Sequence, residues 1–72
     1  MVNINKLKGK IVERGLNVEE LASRIGMDRT TLYRKINANG EGFSIKEADS
    51  IVNELCLTRE EANDIFFSQF VA

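Results

Sequence analysis

The fold of this chain is decided by residues 18–37, VEELASRIGMDRTTLYRKIN. Leu21 and Ile25 have the i, i+4 spacing of an apolar helical stripe, and Leu32 and Ile36 repeat that spacing. Between the two stripes lie a glycine and two residues that can turn the chain. The pattern predicts two short helices with their apolar sides packed on a common core.

The connection between these helices favours a tight turn. Gly26 can adopt the left-handed conformation that ends a helix, Met27 can point inward, and Asp28 can cap the next helix. Ala22 is small where the second helix must cross closely. This is the pattern of a helix-turn-helix, in which the second helix lies in the major groove of DNA.

The chain also resembles the phage-repressor and Cro (XRE-type) family of helix-turn-helix regulators. The resemblance covers roughly residues 4–67, and its matching segments are Glu20-Leu21-Ala22, Ile25-Gly26-Met27, Thr31-Leu32-Tyr33-Arg34-Lys35-Ile36 and residues 60–67, which are similar to the ending of small prophage repressors of Gram-positive bacteria. It implies a compact, five-helix, lambda-repressor-like domain. Many family members have an apolar residue where this chain has Lys35, so Ile36 is expected to take over that packing role.

Three further helices are predicted outside the motif, so the expected fold class is all-α. The first contains Ile4, Leu7 and Ile11 and ends at Gly15. Capping boxes that begin later helices are predicted at Asn17/Glu20, Ser44/Glu47 and Thr58/Glu61. The fourth helix is expected to turn Ile45, Ala48, Ile51, Val52 and Leu55 inward, and the fifth Ala62, Ile65 and Phe66.

Composition fits one soluble globular domain spanning residues 1–72. Hydrophobic residues make up 43% and charged residues 29% of the chain. No apolar run approaches the ~18 residues of a membrane helix, and no signal-peptide pattern is present. A cytoplasmic location is therefore expected.

The net charge of −1 is unevenly distributed along the chain. Residues 1–40 carry eight Lys or Arg and four acidic residues, a net +4, whereas residues 41–72 carry two and seven, a net −5. Such polarity would let one face approach phosphates while another repels the duplex. The alternative is that the halves of the sequence are not halves of the structure.

The outer face of the third helix carries the candidate base contacts, namely Arg29, Thr30, Tyr33 and Arg34. Arginine matches the two major-groove acceptors of guanine with its planar fork. Threonine offers a hydroxyl and a methyl group, and tyrosine can bind a phosphate or pack on a sugar. The alternative is a merely solvated helix face. Which arginine contacts a base and which a phosphate is left open.

Phosphate contacts are expected around that helix, partly at the positive starts of the second and fourth helices. The candidates are Asn17, Thr31, Lys35, Asn37, Asn39, Ser44 and Lys46. For Asn37, Asn39 and Ser44, capping and turn formation explain the residue types equally well.

Catalytic, metal and cofactor sites are not expected. The chain has no histidine and one cysteine, and its paired carboxylates occur at predicted helix starts. Cys56 lies between Leu55 and Leu57, which favours a small core residue over a reactive thiol.

The apolar tail offers two interpretations. Phe67, Phe70 and Val71 could contact a second copy in a homodimer, or could pack back on the first helix. A dimer suits the expected partner, a double-stranded operator with an inverted repeat.

The expected function is therefore sequence-specific DNA binding in transcriptional regulation, by a prophage repressor or Cro-like protein. Antitoxins and accessory factors of restriction–modification or mobile elements share this pattern and remain alternatives. A protein-interaction module on the same fold is the alternative from a different class.

Overall fold

Five helices joined by short turns account for most of the computed structural model, which describes residues 2–67. They are α1 (Ile4–Glu13), α2 (Val18–Ile25), α3 (Arg29–Asn37), α4 (Ile45–Glu54) and α5 (Arg59–Phe66). No strand occurs among the described residues, so the predicted all-α class is confirmed. None of these helices is long and apolar enough to cross a membrane.

Each helix begins at a residue whose side chain accepts a backbone hydrogen bond. The three predicted capping boxes form at the starts of α2, α4 and α5. At the start of α3, Asp28 Oδ2 accepts from the N–H groups of Thr30 and Thr31 at 2.9 and 3.3 Å. Such caps each contribute about 1 kcal/mol by satisfying amides that the helix leaves free. The helix starts were predictable because these bonds join residues two or three apart.

The turn between α2 and α3 has the predicted geometry. Gly26 ends α2 in the left-handed conformation, with φ of 70°. The Met27 N–H donates to Ala22 O at 2.9 Å, which satisfies a carbonyl of the last helical turn. Met27 itself is half-buried against the core. Residues 26–28 thus redirect the chain so that α3 packs directly on α2.

The core is formed by residues from all five helices. Its buried members are Leu7, Ile11, Leu21, Ala22, Leu32, Ile36, Ala48, Ile51, Leu55, Ile65 and Phe66. The α2 helix packs against both α3 and α4, and α1 packs against α5. Ile36 is 3% exposed, so it takes the packing role expected of it beside Lys35.

Two residues expected inside the molecule lie outside it. Ile45 is 82% exposed, because it lies about a quarter turn around α4 from the centre of the buried Ala48–Ile51–Leu55 stripe. Phe43, two residues earlier, packs on Phe66 at that end of the core with ring centroids 6.2 Å apart. Cys56 is exposed in the turn after α4. It has a positive φ of 52° and follows Leu55, which is the residue of this turn that the core buries. The expectation of core positions for Ile45 and Cys56 was wrong.

Hydrogen bonds outside the helices join the ends of distant elements. The Asn3 N–H donates to Ile65 O at 2.7 Å, which fastens the start of α1 to α5. At the opposite end of α1, Arg14 Nε donates to Leu55 O at 2.7 Å and Nη2 to Cys56 O at 3.2 Å. A cation bound to the last carbonyls of α4 is favourably placed against the helix dipole.

Candidate nucleic-acid interface

The exposed end and side of α3 carry all four side chains predicted to contact bases. Leu32 and Ile36 are buried on the opposite side of the helix. Because residues repeat around a helix every 3.6 positions, the side away from this pair is left in solvent. Thr30 and Arg34 lie on that side, and Arg29, the first residue of α3, and Tyr33, at the flank of the helix, are exposed as well.

Arg29 faces a carboxylate of α2. Its Nη1 lies 3.4 Å from Glu19 Oε2, and the two side chains are 66% and 54% exposed. Exposed pairs of this kind contribute little to stability, so this one matters here for the charge that it places beside the guanidinium. Glu19 is one of the paired carboxylates that the sequence places at predicted helix starts, where they favour the helix dipole. The pairing depends on how α2 packs on α3, which local spacing does not reveal.

Arg34 has different surroundings from Arg29. None of the ion pairs within residues 2–67 involves its guanidinium, and its side chain is exposed. The two arginines on the α3 face are therefore electrostatically distinct in the free protein.

Tyr33 lies at the edge of an apolar groove between α3 and α1. The groove has a volume of about 290 Å³ and includes Val12, Leu16, Val18 and Asn17 in its walls. Tyr33 is 42% exposed and Val12 is 73% exposed. The predicted phosphate-contacting residue Asn17 and the predicted base-contacting residue Tyr33 thus border one surface.

Lys35 is held in a part-buried ion pair. Its Nζ lies 2.7 and 2.8 Å from the two carboxylate oxygens of Glu47, and 5.8 Å from the centroid of the Phe43 ring. The hydrogen bond from Lys35, assisted by the Ser44 N–H, holds the pKa of Glu47 below its ordinary value. Lys35 would have to leave this pair to reach a phosphate. The arrangement instead joins the last turn of α3 to the first turn of α4.

Four of the five remaining phosphate candidates lie in two separate places, and the fifth, Thr31, lies in the first turn of α3. Ser44 and Lys46 border a groove of about 320 Å³ beside Gly26 and Met27, where the start of α4 meets the α2–α3 turn. A separate pocket of about 430 Å³ includes Asn37 and Asn39 with residues from the start of α1. Thr31 is only half-exposed, and its amide is used by the cap of α3.

Acidic residues of α5 neutralise part of the basic first helix. Lys10 forms ion pairs with Glu61 and Glu13, and Lys6 Nζ lies 2.9 Å from Asp64 Oδ2. The hydrogen bond from Lys10 lowers the pKa of Glu61 to about 2, and the same contact raises the pKa of Lys10. These ion pairs join the basic and acidic halves of the sequence, so the two halves are not separated in the structure at this contact.

The predicted dimer contact lies at the edge of the described region. Phe67 is 36% exposed and its ring centroid lies 6.3 Å from that of Phe66. Phe70 and Val71 lie outside the described residues. Contact between two copies therefore stays a prediction.

Comparison with known proteins assigns no role to any of these residues, because no protein-family model, curated protein or solved structure matches the chain. Within residues 2–67, no three cysteine or carboxylate side chains come together as a metal-binding group.

Proposed function

We propose that the protein is a sequence-specific double-stranded DNA-binding transcriptional regulator. In this proposal α2, the turn and α3 form a helix-turn-helix of the lambda-repressor-like type, and α3 enters the major groove. One observation carries the proposal: α3 buries Leu32 and Ile36 while exposing two arginines, a threonine and a tyrosine at its N-terminal end and outer side. This combination supplies the donors and apolar groups that distinguish base pairs in the major groove.

The elements around α3 suit phosphate contacts. Asn17 begins α2, and Ser44 and Lys46 lie at the beginning of α4. The starts of helices carry partial positive charge and free amides, which favour bound phosphates. Lys46 adds a full charge at the second of these ends, while Lys35 serves to join α3 to α4.

A dimer completes the proposed binding unit. A single module of this size contacts DNA over only about 600–1,000 Å². Two copies on an inverted repeat, with half-sites about one helical turn apart, would double the contacts. Phe67 is an exposed apolar residue available for the contact between copies. The regulator would act in the cytoplasm, as a prophage repressor or Cro-like protein that blocks polymerase or a competing regulator at an operator.

A protein-interaction module is the second candidate, and one observation favours it. The groove between α1 and α3 is lined mainly by apolar side chains, and Val12 at its edge is 73% exposed. Exposed apolar surface of this kind is used in protein contacts. Such a module would bind DNA weakly and without sequence preference.

Selection from a random duplex pool at two salt concentrations tests the proposal. The expected result is a short inverted repeat, bound more weakly as salt rises because phosphate binding releases counterions. An unrepeated half-site would retain the function and contradict the dimer. No enriched sequence at low salt would contradict DNA-sequence recognition and favour the protein-interaction module.

A further inference from the structure

The two exposed arginines of α3 differ in whether a carboxylate lies beside them, and this difference bears on the specificity of DNA binding. Arg29 has the Glu19 carboxylate 3.4 Å from its Nη1, whereas no carboxylate within residues 2–67 pairs with Arg34. Both side chains are exposed on the surface that would meet DNA. The difference therefore lies at the proposed interface and not in the core.

The Glu19 contact leaves most of the Arg29 donor set available. The ion pair engages Nη1, and the Arg29 guanidinium forms no hydrogen bond to another protein group among the described residues. Contact with guanine requires two parallel N–H donors aimed at the O6 and N7 acceptors. A carboxylate beside one nitrogen leaves the donors on the other two nitrogens free for this contact.

The same carboxylate discriminates between ligands of the arginine. A phosphate carries a full negative charge, so a neighbouring carboxylate repels it, and the repulsion strengthens as water leaves the interface. The edge of guanine presents neutral acceptors and is repelled far less. Glu19 therefore disfavours a phosphate contact by Arg29 more than a base contact.

We propose that Glu19 is a specificity-determining residue that directs Arg29 to guanine in the major groove. Arg34, which has no such carboxylate beside it, contacts a backbone phosphate. This inference rests on the proposed function. Because Glu19 places negative charge at the interface, it weakens binding to every duplex. It weakens binding to unrelated sequences most, since Arg29 can contact only phosphates there, and so it raises the ratio of specific to non-specific affinity.

The test compares Glu19→Gln with Glu60→Gln. Glu60 is the second residue of α5 as Glu19 is of α2, is exposed, and takes part in no ion pair within residues 2–67. Both variants lose the same charge at the same helix position. Affinities are measured for the selected duplex and for a random-sequence duplex of equal length. Glu19→Gln is expected to lower the ratio of the two affinities about tenfold, whereas Glu60→Gln leaves the ratio unchanged.

Arginine variants separate the two assigned roles. Arg29→Ala is expected to abolish the preference for one G·C pair per half-site and to leave the salt dependence nearly unchanged. Arg34→Ala is expected to weaken binding to all duplexes and to reduce the slope of log affinity against log salt by about 1. Thermal unfolding of each variant checks that the fold is retained.

Three outcomes would overturn the inference. Equal affinity ratios for Glu19→Gln and Glu60→Gln would remove the role of Glu19, and loss of the G·C preference in Arg34→Ala instead of Arg29→Ala would reverse the assignment. Either result would leave DNA recognition intact. If the wild-type chain shows no preferred sequence, the proposed function and this inference both fail.

Discussion

At the scale of single residues, Gly40 occupies a position that suits only glycine, for two reasons. Its φ is 80°, and a Cβ at this position would overlap the side chain of Val2. Gly40→Ala is therefore expected to lower the free energy of unfolding by about 1–3 kcal/mol. Gly15 has a similar φ of 73° but no neighbour within 4 Å, so Gly15→Ala isolates the backbone strain and should be less damaging.

Gly9 provides the opposite control for this prediction. It lies inside α1, has no neighbour within 4 Å of a built Cβ, and has no positive φ. Gly9→Ala should raise the free energy of unfolding by about 0.5–1 kcal/mol, because alanine favours a helix. Urea unfolding measures all three variants. Equal stability of Gly40→Ala and Gly15→Ala would contradict the close approach of Val2, because backbone strain alone would then account for the loss.

Residue-level predictions from sequence succeeded where the causes were local. Asn17 and Asp28 were identified as caps because the amides they bind are two or three residues away. Ile45 was expected inside from its spacing to Ala48 and Val52, but it lies at the edge of the apolar stripe of α4 and is exposed, while Phe43 packs at that end of the core. The Glu19–Arg29 pair joins residues on different helices, so neither residue's neighbours in sequence indicated it.

At the scale of elements, the Lys35–Glu47 pair connects α3 to α4. Glu47→Gln retains a side-chain acceptor for the capping box but removes the charge. We expect it to lower the free energy of unfolding by roughly 0.5–1 kcal/mol, since the pair is partly exposed. Urea unfolding measures the loss. Stability unchanged from wild type would show that the pair contributes nothing to joining the helices.

Lys35→Met and Lys46→Met distinguish the structural role of Lys35 from the phosphate contact proposed for Lys46. Methionine keeps a long apolar stem against Phe43 but removes the ion pair with Glu47, so Lys35→Met should lower the free energy of unfolding. It should leave the salt dependence of DNA binding unchanged. Lys46 is exposed and forms no ion pair within residues 2–67, so Lys46→Met should reduce that salt slope by about 1 without loss of stability. If Lys35→Met also reduces the slope of log affinity against log salt, Lys35 contacts a phosphate, as the sequence predicted.

The helices and the turn between α2 and α3 were largely predictable from the sequence, whereas the contacts between helices were not. Asn17, Asp28, Ser44 and Thr58 mark four helix starts in the sequence, and Gly26 marks the turn. Contacts between helices depend on three-dimensional packing. The position of Lys35 on α3 therefore predicted a phosphate contact, whereas its partner Glu47 on α4 was not predictable from spacing along the chain.

At the scale of the whole molecule, ion pairs between α1 and α5 make stability depend on pH. The pKa of Glu61 is lowered from 4.5 to about 2, chiefly by its hydrogen bond from Lys10. A lowered pKa means that the charged carboxylate stabilises the fold above pH 4.5. This stabilisation is lost as pH falls from 4.5 towards 2, where the carboxylate takes up a proton.

Thermal unfolding across this pH range tests the α1–α5 contact. Wild type should lose stability as pH falls through the window, and Glu61→Gln should lose less because it has no carboxylate to protonate. Glu60→Gln, which changes an exposed neighbour on the same helix, should follow the wild-type profile. If Glu61→Gln retains the full wild-type pH dependence, the Lys10–Glu61 pair is not its source.

The most direct test of DNA recognition by α3 is amide NMR of the labelled protein during titration with its selected duplex. A scrambled duplex of the same composition serves as the control. We predict that the selected duplex shifts the amides of residues 28–34 most, with further changes at the starts of α2 and α4, and that the scrambled duplex does not reproduce the α3 changes. Shifts concentrated in α1 and α5, or identical shifts with both duplexes, would contradict recognition through α3.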